Sequence, residues 1–513
     1  MEQSLSTTSS SQHDQGPFSS PILWTTAGWI WISLAGFLAL PLAVATISPG
    51  HSLPNHLSEA VSIAVTMAMA FVFGLAAVLL SRSRLAGARI SASGGAIIAA
   101  FCWITVGFFA SLPYYFSGWI SGFVNCYFET ISGFTTTGAS VVPDPSIMPS
   151  SILLWRGMTQ WLGGMGIIVL FVAVLPAIGE SSHNLFQSEI PGGANFKKVT
   201  PRIQSTARGL WMIYLALTMT QAMLLWATGL PLFSAVFHAF TTLSTGGFST
   251  YADSYATTPN AAAAWITIIF MILAGANFTL HFRVARGEGL RVYPLSAEFK
   301  AYLGLLLVAS LLLTADLLAR GAGPGPGVFQ ALTHGFFQAT SIMTTTGYMS
   351  ADFGQWSYFA QSILLSLMFI GGCSGSTSGA VKVIRHLLAF KAIQGELKRM
   401  ANPKRITTMR LDREVINENM PANALVFIVL FMGIFVICAL ALALMGMDII
   451  SAFSASASCL GNVGPGLGSV GPATTYLGVP TGAKVVLILE MLMGRLELFG
   501  LILFVMVMTS RKQ

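Results

Sequence analysis

The 513 residues are 54% hydrophobic and only 9% charged, against roughly 25% charged residues in a soluble domain, which excludes a soluble globular protein. A net charge of +7 would suit nucleic acid, but a mean hydropathy of +0.72 leaves no polar face for it, so the excess of cations points to a membrane surface. Cys102, Cys126, Cys373, Cys438 and Cys459 lie in or beside apolar stretches without the close spacing of metal ligands, which predicts neither a disulfide framework nor a zinc site.

Residues 1–20, rich in Ser, Gln and Thr and free of Lys and Arg, read as a disordered tail. Ten apolar stretches follow, at about 21–47, 58–80, 94–116, 151–178, 207–230, 260–284, 298–319, 357–390, 422–447 and 480–509. Each is near or above the roughly 20 residues that a helix needs to cross hydrocarbon. Two are interrupted, by Gly275-Ala276-Asn277 and by the run 371–379. Non-helical backbone at that depth persists only where protein or a water-filled cavity satisfies its polar groups. Lys and Arg are retained on the cytoplasmic side, and 22 of the 26 fall in alternate connections, from Arg82 after the second stretch to Arg511 and Lys512 at the end. The intervening connections hold only Arg320, at a span edge. Both termini are therefore predicted to be cytoplasmic.

The last four connections on the side poor in basic residues share a plan: a short apolar segment, too short to span, then a small-residue stretch with glycine. The stretches are Thr135-Thr136-Thr137-Gly138, Ser244-Thr245-Gly246-Gly247, Thr344-Thr345-Thr346-Gly347 and Gly461-Asn462-Val463-Gly464. Their last glycines lie 109, 100 and 117 residues apart. A dehydrated cation needs its water shell replaced by oxygens on all sides, and backbone carbonyls do this without adding charge. Glycine tolerates the positive φ that such a turn requires, and Thr or Ser neighbours can tie outward groups to the wall. One such stretch reads as a plain turn. Four at near-equal spacing can close a pore within one polypeptide, although the fourth departs from the Thr-rich pattern.

These segments and the order of motifs around them resemble the Trk/Ktr/HKT superfamily of potassium transporters, and most of all its bacterial TrkH branch, from about residue 20 onward. Trp155-Arg156 leading to Trp161-Leu162-Gly163-Gly164-Met165-Gly166, then Gly275-Ala276-Asn277-Phe278 and the broken run from Gly371 to Lys382 match that branch. The two extra stretches at the start distinguish it from the Ktr branch. The resemblance implies an all-α membrane protein with four span, half-helix, span repeats in pseudo-fourfold symmetry around a pore. Expected segments are a tail at 1–20, two extra helices at 21–90, repeats at 91–190, 200–290 and 296–390, a basic cytoplasmic linker at 391–420, and a last repeat at 421–513. It implies potassium uptake, with potassium as substrate and no cofactor in the chain. The filter maps onto Thr136, Thr137, Gly138, Thr245, Gly246, Gly247, Thr345, Thr346, Gly347, Asn462, Val463 and Gly464. Sodium-selective plant relatives replace the first filter glycine by serine, so Gly138 favours potassium.

Ionisable residues inside a membrane mark function by default. Glu490, Arg495 and Glu497 share the last stretch at spacings that pair poorly on one helix face. The resemblance places Arg495 in the permeation path below the filter, as a fixed positive charge. Seven of the nine residues at 371–379 are Gly or Ser, a run unable to hold a rigid helix. By the same resemblance this run is a gate loop, with Gly371, Gly372, Gly375 and Gly379 giving it freedom and Lys382 adding charge. Arg156 reads as a structural tie, and His238, His281 and His334 as satisfied structural groups. Glu129, in the first half-helix, either attracts cations or makes a local hydrogen bond.

No Gly-x-Gly-x-x-Gly after a strand and no Walker loop is present. Any nucleotide response must come from a partner, and the resemblance implies a homodimer seated on a cytosolic nucleotide-binding subunit of the TrkA kind. The basic segment at 386–420 also suits anionic lipid. Two rival readings are an inverted-repeat secondary transporter, with its site at the breaks near Gly275 and Gly371, and an intramembrane serine protease using Ser374 and His334. Neither accounts for four similar outer segments.

Overall fold

The computed structural model describes residues 20–50, 53–82, 92–166, 203–256, 260–320, 327–402, 410–412, 414–415, 419–498, 501–502, 504 and 506. All of the expected tail at 1–20 except Ser20, and the basic residues Arg84, Arg89, Lys197, Lys198, Arg202, Lys404, Arg405, Arg413, Arg511 and Lys512, lie outside these. Among the described residues, six helices are long and apolar enough to cross a membrane, and a seventh span results if the bent pair at 261–288 counts as one.

Two long helices, Pro21–Ile47 and Glu59–Arg82, form an antiparallel hairpin. Small residues bring their backbones together, because a Cβ on Gly28 would sit 2.7 Å from Gly74 O, and one on Gly74 equally close to Gly28 O. The hairpin rests on the first repeat, and four repeats then follow the same order. Outer helices run Ala92–Ser117, Ile203–Ala227, Ala297–Arg320 and Asn419–Leu444. Half-helices run Phe123–Phe134, Leu232–Leu243, Val328–Met343 and Ile449–Leu460. Inner helices run Ser150–Gly164, Ala261–Gly275, Tyr358–Leu367 and Thr481–Arg495.

A half-helix of 12 residues is about 18 Å long and cannot cross hydrocarbon, so it must be buried in protein. In the fourth repeat a side chain caps its start, where Asp448 accepts from the Ser451 amide at 3.0 Å, and the Ser451 hydroxyl and amide together hold its carboxyl below the usual carboxylate range. The inner helix of the first repeat packs on the half-helices of the first and second, and that of the second on those of the second and third. In the third, Met368 O reaches Gly461. The inner helix of the fourth packs on the first half-helix, closing the ring.

The inner helices differ from the expected spans. All four stop after 10 to 15 residues, short of the roughly 20 needed to cross hydrocarbon, and not only the two with visible interruptions. The first ends at Gly164, with left-handed Gly166 beyond it, and the fourth ends at Arg495, with left-handed Glu497 and Leu498. The remainder of the stretch predicted at 151–178 lies outside the described residues. The second bends by 95° between Gly275 and Phe278. The third gives way to a loop over 368–382, followed by helix Val383–Ala401. That helix runs unbroken through residue 390, where the sequence suggested a boundary between repeat and linker. The linker adds one two-stranded antiparallel ladder, Arg410–Leu411 with Glu414–Val415, a small departure from an all-α chain.

Candidate functional site

Past each half-helix the backbone alternates hand. The residue two before the glycine is left-handed in every repeat, at Thr136 (φ 55°), Thr245 (54°), Thr345 (58°) and Asn462 (54°), and so are Gly138 (81°), Gly247 (76°), Gly347 (78°) and Gly464 (107°). For a residue with a Cβ this costs about 1–2 kcal/mol, so its recurrence at four equivalent positions means that the surroundings over-determine it. Hydrogen bonds do so. The amides of Thr137 and Gly138 donate to Ser132 O (2.9 and 3.4 Å), those of Gly246 and Gly247 to Thr241 O (2.8 and 3.3 Å), those of Thr346 and Gly347 to Ser341 O (2.8 and 3.1 Å), and that of Val463 to Ser458 O (2.8 Å). In a trans peptide the N–H and the preceding C=O point in opposite directions. Pinning these amides to the half-helix therefore turns away from it the two carbonyls before the glycine in the first three repeats, and that of Asn462 in the fourth.

Away from the half-helix lie the other repeats. A Cβ on Gly138 would meet Gly246 O at 2.2 Å, on Gly247 Thr346 O at 1.9 Å, on Gly347 Val463 O at 1.9 Å, and on Gly464 Thr137 O at 2.6 Å. Each glycine abuts the carbonyl that precedes the glycine of the next repeat, in the order one, two, three, four and back to one. The result is a closed ring of main-chain oxygens with no net charge. All four glycines line a cavity of about 90 Å³ above it, whose lining includes no Asp or Glu. Four half-helix C-termini flank the ring, each equivalent to roughly half a negative charge. Partial charges of that kind favour a cation without binding it irreversibly.

Side chains clamp the strands that leave the ring. Nine residues before the ring glycine stand Glu129, His238, Gln338 and Ala455. Glu129 accepts from Val141 N (2.8 Å) and Ser140 Oγ (3.0 Å), His238 Nε2 bonds Ser249 Oγ (3.2 Å), and Gln338 donates to Tyr348 O (3.1 Å). In the fourth repeat Ala455 has nothing to offer, and Ser454 accepts from Leu467 N instead (2.8 Å). Glu129 thus makes local hydrogen bonds, one of its two sequence readings. It also pairs with Arg156 at 2.6 Å, both buried. Arg156 donates to Ser249 O (3.0 Å) and Ser140 Oγ (3.1 Å) and lies 3.6 Å over the Phe248 ring, tying the first repeat to the second. One helical turn on, Gln160 donates to Gly246 O (2.5 Å) and accepts from Phe248 N (3.0 Å). The sequence reading passed over Gln160 and Gln338. The constant offset from the ring glycines would have found Gln338, but nothing local marks Gln160.

Removing one partner of a buried ion pair costs about 3–5 kcal/mol, whereas apolar replacement of both is close to neutral. Arg156→Leu is therefore expected to lower the unfolding temperature sharply, and Arg156→Leu with Glu129→Leu to recover much of the loss. Thermal unfolding in detergent reads both, and equal destabilisation by single and double variants would contradict the pairing.

Beneath the ring, Arg495 donates to Gly163 O (2.5 Å), Gly164 O (2.8 Å), Thr377 O (2.9 Å) and Thr136 Oγ1 (3.3 Å). It therefore joins the end of the first inner helix, the 371–379 loop and the foot of the ring. Of the other predicted gate residues, Gly379 donates its amide to Thr345 Oγ1 (2.7 Å) and so also touches the ring. Gly371, Gly372 and Gly375 instead dock the loop. Gly371 N bonds Val381 O (3.0 Å) and Val383 N bonds Gly372 O (3.1 Å), while Cys373 N reaches Gly275 O (2.8 Å) and Phe278 N reaches Gly375 O (3.0 Å). The two interruptions visible in the sequence thus satisfy each other's backbone groups. Lys382 is buried and its Nζ donates to Ser378 O within the loop. Glu490 bonds Ser456 Oγ (2.5 Å) and Glu497 pairs with Arg385 (2.5 Å), so neither carboxylate is the partner of Arg495 in these bonds.

The histidines are satisfied structural groups. His238 Nδ1 bonds Ser234 O (2.8 Å), His281 bonds Tyr293 OH (2.6 Å) and Leu273 O (2.9 Å), and His334 bonds Ser350 Oγ (3.1 Å). Ser374 Oγ donates to Glu298 (2.8 Å), so the hydroxyl of the protease reading is committed to a carboxylate and the histidine to another serine. Among the described residues no cluster of His, Cys, Asp and Glu could hold a metal ion.

A family model of TrkH cation transport proteins matches residues 61–322 and 327–513. The chain is 38% identical over 418 residues to the Trk system potassium uptake protein TrkH of Vibrio parahaemolyticus, covering 81% of this chain and 85% of that protein. It is 32% identical over 497 residues to the Trk system potassium uptake protein TrkI of Halomonas elongata, covering 96% and 97%. The crystal structure of the potassium transporter TrkH from Vibrio parahaemolyticus superposes with a TM-score of 0.82 at 34% identity, covering 94% of this chain and 97% of that one.

Proposed function

Because the chain belongs to the TrkH family of cation transport proteins, we propose that it is the membrane subunit of a Trk-type system and carries potassium into the cell through the ring at Gly138, Gly247, Gly347 and Gly464. The observation that carries this reading is the cyclic closure, in which each glycine meets the carbonyl before the next. Oxygens at the carbonyls of Thr136, Thr137, Thr245, Gly246, Thr345, Thr346, Asn462 and Val463 replace the hydration shell. Flux by the purified protein in liposomes, under defined potassium and sodium gradients, tests it. Potassium uptake that sodium does not replace is expected, and no potassium flux would refute it.

Arg495 and the loop at 371–379 gate this path from below. Support comes from the shared bonds of Arg495 to Thr136 and Thr377, and from Gly379 at Thr345. Removal of residues 374–378 is expected to raise basal flux at least several-fold. An assembled deletion variant no leakier than wild type would count against a gate. The chain lies in the cytoplasmic membrane with both ends in the cytosol, a placement that the distribution of Lys and Arg supports. It works as a homodimer on a nucleotide-binding subunit of the TrkA kind. Helix Val383–Ala401 supports a contact on that side, since it exposes Phe390, Ile393, Leu397 and Met400 beside Lys391, Lys398 and Arg399, a pattern that also suits anionic lipid.

A further inference from the structure

The residue just before the ring glycine is Thr137 in the first repeat, Thr346 in the third and Val463 in the fourth, all β-branched, but Gly246 in the second. The two threonines are anchored, since Thr137 Oγ1 lies 2.7 Å from Thr135 Oγ1, and Thr346 Oγ1 lies 2.7 Å from Thr344 Oγ1. At Gly246 the corresponding space is occupied. A Cβ there would lie 2.4 Å from Gln160 Cδ and 2.5 Å from its Oε1. Gln160 is fully buried and reaches across the seam from the inner helix of the first repeat. Its carboxamide spans the strand, donating to Gly246 O at 2.5 Å and accepting from Phe248 N at 3.0 Å.

Gly246 O is the ring oxygen that abuts Gly138. It alone among the four equivalent ring oxygens receives a side-chain amide in the described structure. Such a bond has two consequences. It holds the oxygen at a set radius, and it engages lone-pair density that an ion would otherwise use. A smaller ion of higher charge density needs its ligands to close in and to have a strong field, so both consequences disfavour sodium more than potassium. Resting on the reading of this ring as the selectivity filter, we propose that Gln160 is a positioning residue for potassium-over-sodium discrimination, replacing across a repeat boundary the side chain that the second repeat lacks.

Two sets of variants test this in liposomes, with potassium-to-sodium permeability read from bi-ionic potentials and assembly checked by size-exclusion chromatography. Gln160→Leu removes the amide, and Gln160→Asn keeps an amide one methylene short. Each is expected to lower the permeability ratio roughly tenfold, the worth of one buried hydrogen bond, while potassium still passes. Gly246→Thr alone has no room and should lose discrimination, whereas the Gln160→Ala, Gly246→Thr double variant should recover it above either single change. Ratios within twofold of wild type for the assembled Leu and Asn variants, or a double variant no better than Gly246→Thr, would overturn the role of Gln160 while leaving the filter intact. A wild-type protein that conducts potassium without preferring it over sodium would instead bring down the filter reading beneath it.

Discussion

Gly347→Ala is expected to abolish potassium transport, by roughly 100-fold or more, while leaving the protein assembled. Two costs coincide at this position. The backbone is left-handed at φ 78°, which a Cβ makes unfavourable by about 1–2 kcal/mol. The added carbon would also stand 1.9 Å from Val463 O and 2.9 Å from Pro465 Cδ. Neither neighbour is a flexible side-chain end, so the ring itself must deform. A displaced oxygen leaves an ion under-coordinated, and a shift of even 1 Å in a preorganised site is costly. Gly36→Ala is the matched control, because no atom lies near its Cβ position. Growth of a potassium-uptake-deficient strain at low potassium and liposome flux both read the outcome. An assembled Gly347→Ala variant with wild-type flux and selectivity would show that the ring is not the path.

Arg495→Ala is expected to raise potassium flux tenfold or more. A guanidinium bonded to Thr136 at the foot of the ring faces any cation leaving it. At about 5 Å and an effective dielectric constant near 20, two unit charges repel by about 3 kcal/mol, enough to dominate a permeation barrier. The same group is also a tether, holding Thr377 O, Gly163 O and Gly164 O together. Arg495→Lys separates the two roles, since lysine keeps the charge but cannot reproduce the planar fork of donors. If charge sets the barrier, flux through Arg495→Lys stays low while flux through Arg495→Ala rises. Equal increases in both would assign Arg495 to tethering the loop, and no increase in either would remove it from the gate.

Much of the ring was legible before folding because its physics is local. Residues such as Thr136 and Gly138 are legible since a carbonyl-lined turn needs small residues and left-handed backbone at fixed offsets, and the offsets repeat. The breaks at Gly275 and Gly371 were legible because seven Gly and Ser in nine residues cannot form a stiff helix. The breaks beyond Gly164 and at Arg495 were not, because apolar residues continue on both sides of each break, even though the last stretch also carries Glu490, Arg495 and Glu497. They are imposed by packing. A Cβ on Gly163 would lie 1.9 Å from Phe134 O, and one on Gly494 2.1 Å from Leu460 O, so both helices press on the ends of their half-helices just before they stop.

Hydropathy, the placement of Lys and Arg and the fourfold recurrence of a glycine turn determined that this chain spans a membrane and carries four equivalent segments, since each is a property of residues near in sequence. Only the tertiary structure decided what those segments meet: that Gly464 closes on Thr137, that the loop at 371–379 satisfies the break at Gly275, and that Gln160 serves a repeat to which it does not belong. Such contacts join residues far apart along the chain, and they exist only once helix packing has brought the repeats around one axis.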